Sequence, residues 1–236
     1  MRRLFSSLLL LFLCLRLGAV EMPAYLRIAL ARFSPDVPRG WAYSITTTRG
    51  SEQALEHFDP SAPASHQWTL VQRNGRAPTA EDIHQYLSYK TTNAEAVRAT
   101  FGRGDLDYGT LRLEHEDSTH AVFSCRFRTD ANDPLLDHLQ VTLRVSKQPE
   151  TIEAFRLALV APYSPVLTMK TLELDVQTTF SPPRADRPGL PQHTSSHFRG
   201  RVLVVKSVEE NLQSDYSDFT HVGVKPAPSG VDAPEN

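Results

Sequence analysis

The feature that most constrains this chain is an alternation of apolar and polar side chains with a period of two. Leu139, Val141, Leu143 and Val145 alternate with Gln140, Thr142 and Arg144. Successive side chains on a strand point to opposite faces, so the pattern predicts a sheet with one oily face. The same alternation sets Leu111, Leu113 and His115 against Arg112, Glu114 and Glu116, and returns in Ala121, Phe123, Cys125 and Phe127. Phe155, Leu157 and Leu159 continue it, then Leu172, Leu174 and Val176. The interruptions are short and turn-like: Glu116-Asp117-Ser118-Thr119, Asn132-Asp133-Pro134 and Lys147-Gln148-Pro149-Glu150. Short connections join antiparallel neighbours. Residues 201–207 and 216–224 are the last predicted strands.

The N-terminal half adds helices. Residues 23–33 carry Tyr25, Leu26, Ile28, Ala29, Leu30 and Phe33 on one broad face and predict a short helix, ended by Pro35, Pro38 and Gly40. Strands are predicted at 41–48, 52–58 and 67–73, with turns at Arg49-Gly50-Ser51 and Asn74-Gly75. A helical pair follows the third strand. Thr79 and Asp82 have the spacing of a capping box, with Ile83, Tyr86, Leu87 and Lys90 recurring behind them. Thr92 and Glu95 repeat the signal before Val97 and Phe101, and Gly102 and Gly104 close that helix. The expected class is α+β, mainly antiparallel β, with nine or ten strands. No fixed repeat or linker divides it, so residues 20–224 are read as one domain.

The first residues read as a secretory signal peptide over residues 1–19. Arg2 and Arg3 precede the apolar run Leu4 to Leu15, and Leu17-Gly18-Ala19 offers a small residue for cleavage. The run is short of the roughly 20 residues that span a bilayer, so no stable transmembrane span is expected. A periplasmic or secreted location follows. The chain has a formal net charge of −2, and loss of Arg2, Arg3 and Arg16 makes it more acidic. That excludes nucleic acid as an expected partner, since phosphate recognition needs a basic surface. Cleavage also removes Cys14, and a lone Cys125 cannot form an internal disulfide. Residues 225–236 carry Pro, Gly and Ser with little that can pack and predict a disordered tail.

No local motif carries chemistry. There is no Gly-x-Ser-x-Gly elbow, no His-Glu-x-x-His and no Cys-x-x-Cys. Gly102-Arg103-Gly104 lacks the third glycine and preceding strand of a phosphate cradle. His193 and His197 sit four apart inside Ser181 to His197, a Pro- and Ser-rich stretch read as a loop, where the spacing has no ligand geometry. The acid pairs Asp105/Asp107, Glu114/Glu116 and Glu209/Glu210 read as solvated surface. The expectation is a protein that is not an enzyme, with no catalytic residue, metal or cofactor.

The oily face of such a sheet must be covered. Bending around helices without closing would leave a half-open β-barrel, with the N-terminal helix and the inserted pair as a lid and room for an apolar ligand. Trp41, Trp68, Phe155, Leu157 and Leu159 are the candidate cavity residues. A filled core is the competing expectation.

The order of elements resembles the periplasmic LolA/LolB-like lipoprotein carriers over residues 25–224. That resemblance implies an unclosed barrel holding acyl chains, with a lipid or lipoprotein as partner. The strand 41–48 departs from that pattern: it holds no arginine, and Arg49 falls at its end. The segments Phe58-Asp59-Pro60, Trp68-Thr69-Leu70, Asn74-Gly75-Arg76-Ala77-Pro78-Thr79 and Tyr216-Ser217-Asp218-Phe219 are similar to those of a group of uncharacterised secreted bacterial proteins. The expected function is a soluble envelope protein that binds a lipid or acyl chain. The alternative is an envelope scaffold or sensor that contacts another protein through Ser181 to His197.

Overall fold

The computed structural model describes residues 22–92, 103–128, 134–166, 168–203 and 206–223. A helix, α1 (Ala24–Arg32), precedes three strands, β1 (Trp41–Arg49), β2 (Glu52–Phe58) and β3 (Trp68–Arg73). A second helix, α2 (Ala80–Thr92), follows. The chain then makes β4 (Leu106–Glu116), β5 (His120–Phe127), β6 (Leu139–Lys147), β7 (Glu150–Leu159), β8 (Tyr163–Val166), β9 (Met169–Phe180), β10 (Pro191–Val202) and β11 (Lys206–His221). All belong to one sheet in the order β3-β2-β1-β11-β10-β9-β7-β6-β5-β4, with β8 added beside β9. Every pairing is antiparallel. The end strands β3 and β4 do not pair, so the sheet is not closed. The α+β, mainly antiparallel architecture expected from the alternation is the one observed.

The core sits where that alternation is cleanest. Leu26, Ala29 and Leu30 are buried at helical spacing on α1. They join a cluster with Phe123, Cys125, Phe127, Val141, Leu143, Val145, Phe155 and Leu157 from β5, β6 and β7. Phe123, Val141, Leu143 and Val145 are fully buried, and each such side chain stabilises the fold by about 1.5–3 kcal/mol. A polar clasp fixes one end of α1. The Tyr25 hydroxyl donates to Glu116 Oε1 at 2.9 Å, and Lys147 pairs with the same carboxylate at 2.9 Å.

At the far end of the sheet, α2 begins with the capping box read from Thr79 and Asp82. The Asp82 N–H donates to Thr79 Oγ1 at 3.2 Å, and the Thr79 N–H donates to Asp82 Oδ2 at 2.8 Å. These bonds, with Arg76 at 2.8 Å, pull the Asp82 carboxyl down to about 2. Asn74 and Gly75 both have positive φ, as a two-residue type I′ turn requires. The second helix of the expected pair lies outside the described residues, as do the expected signal at 1–19 and the tail at 225–236.

The sheet is longer than its hydropathy pattern suggests, with 11 strands among the described residues. The stretch Ser181 to His197 is a loop only as far as Leu190. From Pro191 it is β10, paired on both sides. Proline opens that strand, where its missing N–H is tolerated. Glu209, Glu210 and Asn211 lie inside the 16-residue β11, not at a turn. Residues 191–197 lack apolar contrast, so composition makes them look like loop, whereas the strands expected at 201–207 and 216–224 overlap β10 and β11.

Candidate functional site

The strand register allows side chains sharing a face to be followed across the molecule. On the face covered by α1, one row runs Leu113, Phe123, Leu143, Phe155 and then Thr178, Thr194, Ser214, Thr47. Its chemistry changes between β7 and β9. From exposed Leu113 the row runs into buried hydrocarbon at Phe123, Leu143 and Phe155, in the core cluster that α1 joins. Beyond it stands a ladder of hydroxyls, with Thr178 and Thr194 2.9 Å apart and Thr47 and Ser214 3.4 Å apart. The segment 33–40 crosses this face. Phe33 packs on Phe155 and Phe180 with centroids 6.0 and 5.5 Å away, and the Gly40 carbonyl accepts from Val222 N–H on the far side.

Two steps along β1 from Thr47 is Ile45, and two more is Tyr43, on the same face. There the hydroxyls give way to rings. Tyr43 lies opposite Phe58, and Phe58 opposite Trp68. Tyr43 meets Phe58 at 5.2 Å, Trp68 at 5.9 Å, Tyr216 at 6.1 Å and Phe219 at 5.9 Å; Phe58 and Trp68 are 4.9 Å apart. All five rings are only partly buried, whereas an aromatic cluster serving as core would be closed over. Burial holds the Tyr216 hydroxyl above its usual range, offset in part by a hydrogen bond with Thr194.

One edge of the ring cluster is polar. Lys90 on α2 places its Nζ 3.9 Å from the Trp68 ring centroid and 5.3 Å from that of Tyr86. The same ammonium donates to Glu56 Oε2 at 2.7 Å. Glu56 lies between Ile45 and Leu70 in register, on the ring-bearing face. Tyr86 is buried, and its hydroxyl has no hydrogen-bond partner among the described residues. Burial, reinforced by the charge of Glu56, raises its ionisation well above the usual phenol range.

The candidate residues read from the sequence fall into two groups. Trp68 is in the ring cluster, and Trp41 stands at the start of β1 with its ring 5.2 Å from His221. Phe155 and Leu157 are buried among the α1 contacts, and Leu159 is partly buried against them. Strands β11, β10 and β9 separate the two groups. Tyr43, Phe58, Tyr216, Phe219, Lys90 and Glu56 are not among the cavity residues that the sequence suggests. Tyr43 and Phe58 could have been found by folding the 41–58 hairpin about Gly50. Tyr216 and Phe219 reach the cluster only because β11 pairs with β1, and no local pattern reports that pairing.

The opposite face of β9, β10 and β11 is charged and largely self-neutralised. The guanidinium of Arg156 binds Asp175, with Nε 2.8 Å from Oδ1. His193 Nδ1 is 2.7 Å from Asp215 Oδ1. His197 reaches Asn211 at 2.8 Å and Glu173 at 3.2 Å, and Glu173 also binds Arg199. The Asn211 and Glu173 bonds favour the protonated ring and raise His197 above its usual value. An open depression of about 370 Å³ lies over this face, lined by residues including Gln177, Ser195 and Gln213. The two histidines thus share a strand face, each engaged with a side chain of β11. Among the described residues no group of three or more His, Cys, Asp and Glu is placed to hold a metal ion. Cys125 is buried, and burial pushes its thiol up to about 12, so it packs as a small hydrophobe. No described helix is long and apolar enough to cross a membrane.

No family model matches the chain, and no curated protein matches it. One solved structure, an isomerase-inactive variant of GphF DH1, aligns with 87% of this chain and 83% of its own at 12% identity. The TM-score of 0.16 is too low for the folds to be considered alike.

Proposed function

We propose that this chain is an exported envelope protein that binds a hydrophobic ligand, a lipid or acyl chain, without catalysing a reaction. In this reading the sheet acts as a half-open barrel, with the helices as its cover. The observation that carries it is the set of five partly buried rings, Tyr43, Phe58, Trp68, Tyr216 and Phe219, on the face that also bears both helices. Under α1 the same face is filled with side chains and has no room to offer. Between the helices it presents aromatic surface that the described chain does not fully cover. Apolar pockets with a few placed polar groups are the usual form of a small-ligand site.

Native mass spectrometry of protein purified from cells, followed by titration of the delipidated protein with a fluorescent fatty acid, tests this. The expected result is co-purified lipid, and probe binding that Phe219→Ala weakens. A clean apo mass together with no probe binding would overturn the reading.

A further inference from the structure

The ring cluster ends at a phenol, an ammonium and a carboxylate, and their arrangement specifies a ligand head. We infer that the Tyr86 hydroxyl and Lys90 receive an uncharged carbonyl head, an acyl ester or acyl amide, with the Tyr86 O–H donating to the carbonyl oxygen. The inference rests on the ligand-binding reading above and narrows it to a ligand class.

The first argument is the hydroxyl itself. Tyr86 is 8% exposed, and its oxygen has no partner among the described residues. Buried polar groups in folded proteins are almost always satisfied, so an orphaned one calls for an external partner. Its ring flanks Lys90 Nζ, and the ammonium in turn covers Trp68. The phenol therefore borders the partly buried rings. With burial and Glu56 both opposing loss of its proton, the hydroxyl stays a donor across the physiological range.

The second argument is charge. Lys90 is already matched by Glu56 at 2.7 Å, with side chains only 25% and 14% exposed. A carboxylate or phosphate head would bring a second negative charge beside Glu56 in a half-dry setting. A cationic head would confront Lys90. An uncharged acceptor disturbs neither, and its carbonyl oxygen can accept hydrogen bonds from the Tyr86 O–H and one of the remaining N–H groups of Lys90. The acyl chain would then lie over Trp68, Phe58 and Tyr43, where the surface is aromatic.

The test compares three probes of equal chain length: a saturated fatty-acid methyl ester, the free acid and the alkane. Each is titrated against the delipidated protein by displacement of a fluorescent reporter. The ester is expected to bind about tenfold tighter than the other two, the worth of one or two hydrogen bonds made in a dry site. Tyr86→Phe removes a single oxygen atom. It should erase that preference while leaving the unfolding midpoint of the empty protein unchanged or higher, because the wild-type hydroxyl is unpaired there. An ester preference that survives Tyr86→Phe would overturn the inference. So would a lower midpoint of the empty variant, which would mean the hydroxyl is already bonded within the protein. If the wild type binds the three probes equally, the head specificity fails and the carrier reading stands. If it binds none, the carrier reading fails with it.

Discussion

In the row through Phe123 and Phe155, one face of this sheet changes from hydrocarbon to hydroxyl between β7 and β9, although Phe180, Leu174 and Val176 of β9 still belong to or pack against the core. On the β4–β7 side, the rows under α1 are hydrocarbon, and Phe123, Val141, Leu143 and Val145 are completely buried. On the β9–β1 side, that row continues as Thr178, Thr194, Ser214 and Thr47, and partly buried rings stand a few residues further along β1 on the same face. The backbone ladder is continuous across the boundary, so the sheet does not depend on hydrophobic packing to propagate. The difference separates two jobs. One half holds the fully buried side chains of the core, and the other leaves its rings partly exposed.

That division is broken most directly by truncating one aromatic ring on each side. Phe123→Ala should cost about 3–5 kcal/mol, since the site is closed on every side and the cavity cannot collapse. Phe219→Ala removes a partly buried ring and should cost about 1 kcal/mol. Urea denaturation of both variants measures the pair. Equal losses would show that the ring cluster is core after all. A folded Phe219→Ala protein that has lost its apolar ligand would place function, and not stability, in that half.

A smaller effect tests whether the hydroxyl ladder is structural. Thr194 sits between Thr178, 2.9 Å away, and Tyr216. Thr194→Val keeps the shape and strips out the shared hydroxyl, leaving buried Thr178 and Tyr216 short of a partner. The expected loss is about 1–2 kcal/mol, read from the denaturation midpoint. No loss would mean that solvent reaches the ladder and satisfies it.

The two halves also differed in how much of them could be read in advance. Strands β5, β6 and β7 were legible because each alternates oily and polar residues and is joined to the next by a short turn. The capping box at Thr79 and Asp82 was legible because its geometry is local. Strand β10 was not. His193 and Ser195 face one way and Thr194 and Ser196 the other, so there is no hydropathy contrast to carry a period. The candidate site suffered from the same limit. Trp41 and Trp68 stood out by residue type alone. The rings that surround Trp68 come from β1, β2 and β11, and β11 meets β1 by a pairing that links distant parts of the chain. In sequence Lys90 is one more residue of a helical face, whereas its ion pair is with Glu56, 34 residues away.

The smallest expected effect is electrostatic and belongs to the outer face of the polar half. His197 is bonded to Asn211 and Glu173, and its pKa is raised above the ordinary value of 6.5. Glu173 is bonded to Arg199 and His197, and its pKa is lowered below 4.5. A raised histidine contributes stability that is complete below its unfolded value and lost as pH rises through the folded one. A lowered carboxylate contributes stability present above its unfolded value and lost as pH falls through the folded one. The pair is therefore at full strength between about pH 4.5 and pH 6.5, near the unfolded values of the two groups. Replacing His197 with Gln should lower the unfolding midpoint most within that window. The deficit should shrink above it as His197 loses its proton, and below it as Glu173 gains one. Both groups are partly exposed, so added salt should shrink the deficit everywhere. Phe123→Ala, measured beside it, should show a deficit indifferent to pH and salt. A His197→Gln deficit equally flat in both would mean that the imidazole contributes by packing between Glu173 and Asn211 and not by its charge.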